Sequence, residues 1–138
     1  MKLKMKKIFL FLSILFMLCS CTIDEEQHFH YELLPVESVE IPNEFQLGET
    51  YSIKIRYNRP TSCHSFNGFY YDSYLNTRTI AIRTIVFEQD NCTELTNNLV
   101  EEIIHFYVTS SGPYTFKFWQ GTNDAGEDVF LEYEIPVN

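Results

Sequence analysis

The chain has 138 residues, 45% hydrophobic and 16% aromatic, with 10 Lys+Arg against 19 Asp+Glu. That is one domain's worth of chain with enough apolar residues for a core, and five Gly and five Pro exclude collagen-like and low-complexity readings. Four of the bases (Lys2, Lys4, Lys6 and Lys7) stand at the very start, so the rest carries 6 bases against 19 acids, a net of −13 that repels phosphate backbones and argues against nucleic acid as a partner.

The basic stretch Met1–Lys7 precedes an apolar run, Ile8–Leu18, interrupted by Ser13. At 1.5 Å per residue the run rises about 16 Å, roughly half of a hydrocarbon core, which suits a secretory signal and not a membrane span. It ends in Leu18-Cys19-Ser20-Cys21, which resembles the lipobox of bacterial lipoproteins. The resemblance implies that residues 1–20 are a signal peptide, and that Cys21 becomes residue one and is acylated on its sulfur and its amine. Cleavage by an ordinary signal peptidase, leaving Cys21 as a free thiol, is the alternative. Two or three acyl chains, at about 0.8 kcal/mol per buried methylene, hold a protein on a membrane essentially for good. Thr22 stands where an Asp retains lipoproteins of Gram-negative bacteria in the inner membrane, so the resemblance implies the outer membrane, at its periplasmic face or at the cell surface. The acids Asp24, Glu25 and Glu26 resemble the surface-export signal of Bacteroidetes lipoproteins and suit a solvated tether equally well. From Asp24 to Glu49 there are eight acids and no base, and residues 21–35 are expected to form a lipidated acidic tether.

From Val36 the pattern has period two and is rich in β-branched and aromatic residues, so residues 36–138 are expected to form the folded domain. Tyr51, Ile53, Ile55 and Tyr57 share one face of a strand. Ile80, Ile82, Thr84 and Val86 do so within Thr77–Glu88, and Ile104, Phe106 and Val108 within Glu102–Val108. Tyr114, Phe116 and Phe118 alternate with Thr115, Lys117 and Trp119, and Leu131, Tyr133 and Ile135 oppose Phe130, Glu132 and Glu134. With Val36–Ile41 and a strand or hairpin in Cys63–Tyr74 this makes about seven strands, and Cys92–Val100 is the one stretch with room for a helical turn. Regular spacing predicts an all-β fold, an antiparallel seven-stranded sandwich of immunoglobulin-like or fibronectin-like kind. The cysteine signature of antibody domains is missing, because Trp119 follows both domain cysteines. The chain also resembles the small uncharacterised outer-membrane lipoproteins of Bacteroidetes, in Asn76-Thr77-Arg78-Thr79, Tyr114-Thr115-Phe116-Lys117-Phe118-Trp119 and the Glu127-Asp128 ending. That group implies no reaction.

Cys63 and Cys92 form an even pair in an exported domain, which predicts a disulfide; a soft-metal site of Cys63, His64 and Cys92 is the sharper alternative. His28 and His30 fall on one side of an extended segment and offer a weak chelating pair, while His105 reads as a strand residue. Asp124, Glu127 and Asp128, in a turn with Gly126, are weak candidate calcium ligands. No nucleophile elbow, zinc-protease motif or phosphate loop is present, and no cofactor is expected. The most distinctive stretch is Cys63–Tyr74, where Asn67-Gly68 predicts a type I′ hairpin turn and Phe66, Phe69, Tyr70, Tyr71 and Tyr74 either fill the core or form an exposed platform. If Phe69, Tyr70 and Tyr71 share a strand, Tyr70 faces away from its two neighbours. These features favour a non-enzymatic module, anchored to the membrane by lipid, that binds or scaffolds a protein or glycan. A calcium- or transition-metal-binding module is the alternative.

Overall fold

A computed structural model describes residues 27–138, and the expected signal peptide and Cys21 lie outside them. Eight strands follow in chain order: β1 (Phe29–Leu34), β2 (Val36–Glu40), β3 (Thr50–Asn58), β4 (His64–Tyr74), β5 (Thr77–Phe87), β6 (Leu99–Tyr107), β7 (Tyr114–Thr122) and β8 (Asp128–Ile135). They form two sheets, one of five strands and one made of β2-β3-β6. In the larger sheet β4 covers one edge of β5 along its length. The other edge is shared end to end, with β1 against Ile82–Phe87 and β7 against Thr77–Ile80, and β8 lies outside β7. Among the described residues no helix is long and apolar enough to cross a membrane.

The core forms where the inward faces meet. Ile53, Ile55 and Tyr57 of β3 and Phe106 of β6 pack against Ile80 and Ile82 of β5 and Tyr114, Phe116 and Phe118 of β7. These are the faces that the alternation predicts, because side chains two apart share one side of a strand. Phe45, from the loop after β2, is fully buried and touches the rings of Tyr51, Phe106, Tyr114 and Phe116. Its backbone is held by the C-terminus: Phe45 N–H donates to Pro136 O at 2.9 Å, and Asn138 N–H donates to Phe45 O at 2.8 Å.

Four details correct the expectations. The folded part begins at Phe29 and not at Val36, so residues 29–34 of the expected tether are a strand with six residues paired to β5. Pro35 then ends that pairing, since proline has no N–H to give a ladder, and the chain crosses to pair with β3 in the other sheet. The β5–β7 pairing is parallel, not antiparallel. Asn67-Gly68 makes no hairpin turn. The register shifts between Phe66 and Phe69, so Asn67 and Gly68 bulge opposite Arg83, with Gly68 at φ 84° and Arg83 Nε donating to Asn67 O at 3.0 Å. The hairpin turn falls instead at Leu75-Asn76, where Leu75 has φ 52°. Residues 92–98 form no helical turn, because Thr61 and Glu94 bridge there and Leu95 N–H donates to Pro60 O.

Candidate functional site

The five aromatic candidates divide by strand parity and by the bulge. Phe66 and Phe69 pack against the core, with Phe66 also near the Tyr57 ring. Tyr70 pairs with Ala81 on the opposite, outward face and is 49% exposed. Tyr71 is on the inner face near the end of the sheet, beside Arg78, and remains half-exposed; burial of the ring pushes its phenol up. Tyr74, next to the β4–β5 turn, is 72% exposed. Neither extreme of the sequence reading holds for the whole segment.

The outward face of the larger sheet carries a shallow cavity of about 300 Å³ lined by Leu33, Tyr70, Thr79, Ala81, Trp119, Asp128 and Phe130. It takes one strand position each from β1 and β4 and two each from β5 and β8, with Trp119 from β7. Ala81 is small and buried, so larger neighbours rise around it. A second bulge sets the Trp119 side: the β7–β8 register shifts between Trp119 and Thr122, where Gly121 has φ 102°. The indole Nε1–H donates to Asp128 Oδ1 at 2.8 Å, which fixes the ring against the hairpin. Beside it the Phe130 ring lies 5.4 Å from Lys117 Nζ, and Lys117 is paired with Glu132 at 2.9 Å. Trp119 and Phe130 are absent from the sequence candidates. Their position opposite the buried residues of β7 and β8 was the available signal, and it placed them on an outer face without showing that Tyr70 would join them.

The other candidates are spoken for locally. Cys63 and Cys92 are joined as a disulfide, with Cα atoms 5.4 Å apart, so their thiolates are not available for a soft metal. His64 is buried between two partners, with Nδ1 2.8 Å from Thr61 Oγ1 and Nε2 2.9 Å from Glu32 Oε2. Thr61 Oγ1 also accepts the Cys63 N–H at 3.2 Å. His30 Nδ1 lies 3.2 Å from Glu88 Oε1, and His105 Nδ1 lies 3.2 Å from Ser52 Oγ. In the β7–β8 turn, Asn123 Oδ1 accepts the N–H groups of Ala125 and Glu127, and Asn123 Nδ2 donates to Glu127 Oε2. Asp128 turns away to Trp119, so the structure does not converge Asp124, Glu127 and Asp128 on one point. Among the described residues no three His, Cys, Asp or Glu side chains gather as a metal would need.

At the far end of the core the Tyr114 hydroxyl accepts N–H groups from Thr109 at 3.2 Å and Ser110 at 2.9 Å. Burial pushes the phenol up, but these bonds and the Arg78 charge outweigh it, and the net shift is downward. Comparison with protein-family models, with curated proteins and with solved structures finds no match for this chain.

Proposed function

We propose that this protein is a lipid-anchored envelope lipoprotein whose sandwich binds a protein or glycan through the outer face of its larger sheet, without catalysing a reaction. The observation that carries the reading is the joint presentation of Tyr70, Trp119 and Phe130 around Ala81. Flat aromatic side chains anchor partners at low entropic cost, and their faces stack on the C–H faces of sugars. Asp128 is the sole carboxylate among the lining residues, and Trp119 already holds one of its oxygens. The lipobox and the acidic run after it support attachment to the outer membrane of a Gram-negative bacterium.

The immunoglobulin-like reading of the sandwich is supported by its two facing sheets and by Tyr114, whose hydroxyl reaches back to the backbone four residues upstream as in a tyrosine corner. The parallel β5–β7 pairing departs from the usual strand order of such domains, in which both sheets are antiparallel. The disulfide also departs from it, since Cys63 and Cys92 lie in loops ahead of β4 and β6.

The test is capture from detergent-solubilised envelope, together with a glycan array, using wild type and three single variants. Trp119→Ala and Tyr70→Ala should each weaken binding by about 2 kcal/mol, as removal of a central interface aromatic does. Tyr107→Ala, on an exposed position of the other sheet, should leave it unchanged. Capture that survives both groove variants undiminished would refute the assignment of this face.

A further inference from the structure

The first strand is built inside out over its first five residues, before Leu34 turns into the core. Its outward positions are Phe29, Tyr31 and Leu33, all exposed, whereas His30 and Glu32 occupy the inward side at the open end of the sandwich. A strand exposed to water on its outer face ordinarily shows the reverse, polar out and apolar in. The Phe29 ring meets Tyr31 edge-on at 5.7 Å and Phe87 at 6.5 Å, so three aromatics cluster at one corner of the domain.

That corner is also where the chain arrives from Cys21. Seven residues lie between Cys21 and Phe29, and the eight residue-to-residue steps, at no more than about 3.6 Å each, span at most about 29 Å, whatever their path. If Cys21 carries acyl chains, Phe29 cannot stand farther than that from the lipid surface. Rings of this kind, half-exposed beside polar groups, are suited to the headgroup layer. We infer that the corner formed by Phe29, Tyr31 and Phe87 rests in the headgroup layer of the membrane that holds the anchor, and that the sandwich stands upright on it. The inference rests on the lipid-anchor reading. Glu88 and Asp90 flank the corner and Asp24, Glu25 and Glu26 precede it, so the surface it fits is a zwitterionic phospholipid and not an anionic one. The β4–β5 turn then points away from the membrane, since β5 runs ten residue steps from Thr77 to Phe87, about 33 Å. The groove lies partway up, open to a partner.

Trp119 is the one tryptophan of the chain, which makes the test direct. The full lipidated protein is placed in phosphatidylcholine vesicles containing lipid brominated on its acyl chains. Phe29→Trp in a Trp119→Phe background should lose about half of its emission, the ring reaching about 5–10 Å into the boundary. Tyr31→Trp in the same background repeats the measurement at a position that is 60% exposed and tolerant of change. Wild type, reporting from the groove, should be unquenched. A chain that fails to float with vesicles overturns the anchor and this inference together. Flotation with both corner probes unquenched overturns the inference alone, and a wild-type signal quenched as strongly as the corner overturns the upright placement.

Discussion

Arg78 holds Leu75 in place: its guanidinium Nη1, on a residue that is 9% exposed, donates to the Leu75 carbonyl at 2.7 Å and to Thr77 O at 2.9 Å. The charge also sits over two rings, 5.1 Å from the centre of Tyr114 and 5.7 Å from that of Phe106. Leu75 is thereby kept at φ 52°, a conformation in which an L side chain crowds its own backbone, at about 1–2 kcal/mol. Leu75 is 80% exposed, so its side chain recovers little by burial.

Leu75→Gly should therefore raise stability by about 0.5–1 kcal/mol, the relief of strain less the extra freedom that glycine gives the unfolded chain. Urea denaturation of both proteins measures it. A loss of stability would mean that the leucine side chain makes a contact worth more than the strain.

The disulfide closes a separation of 29 residues, from the loop before β4 to the loop before β6. The paired Cys63→Ser, Cys92→Ser variant should lose about 3–4 kcal/mol by the chain-entropy account. Mass spectrometry of non-reduced peptides should find the two cysteines joined. Two alkylatable thiols in protein from an oxidising compartment would contradict the bridge.

Phe69 and Tyr70 are neighbours with opposite duties. Phe69→Ala should cost about 3 kcal/mol or more, because the ring packs against the core beside Phe66. Tyr70→Ala should stay within about 0.5 kcal/mol of wild type, as its ring is on the outer face. Thermal melts of the two variants compare them directly, and equal losses would show that the strand is turned differently.

Glu102 is on the core-facing side of β6, and burial pushes its carboxyl above the ordinary carboxylate range. A carboxyl raised in the fold binds its proton more tightly there than in the unfolded chain. Its contribution is complete below the unfolded value of about 4.3 and is lost as the pH rises through the folded value. Glu102→Gln should thus be more stable than wild type at neutral pH, by an amount on the order of a few tenths of a kcal/mol given the solvent at the edge strand, and the advantage should vanish in acid. Melting temperatures from acid to neutral pH decide, and a constant difference would show that the carboxyl does not titrate with folding.

What could be read in the sequence was whatever a two-residue period can encode. Ile53, Ile55, Tyr57, Tyr114, Phe116 and Phe118 are buried because each lies two residues from the next on a strand. Phe45 escaped notice in an acidic stretch with no alternation, although it is at the centre of the aromatic core. β1 escaped because its apolar side faces outward, so its pattern resembled a tether. A type I′ turn at Asn67-Gly68 needs positive φ at both residues, and only Gly68 adopts it; a glycine with positive φ does not by itself distinguish a turn from a bulge. The groove depends on which strands become neighbours, and the parallel β5–β7 pairing that joins its halves is a long-range choice that no local pattern records.

The crossing at Pro35 has a mechanical consequence. A pull on the N-terminus is carried first by the six β1 pairs to β5, and if those yield, the next residues belong to the opposite sheet through β3. Peeling cannot run on from one ladder into the next along a single sheet. The chain works as a stitch through both layers, so a load applied from the N-terminal side meets the ladder to β5 first and then a separate ladder, to β3, in the opposite sheet.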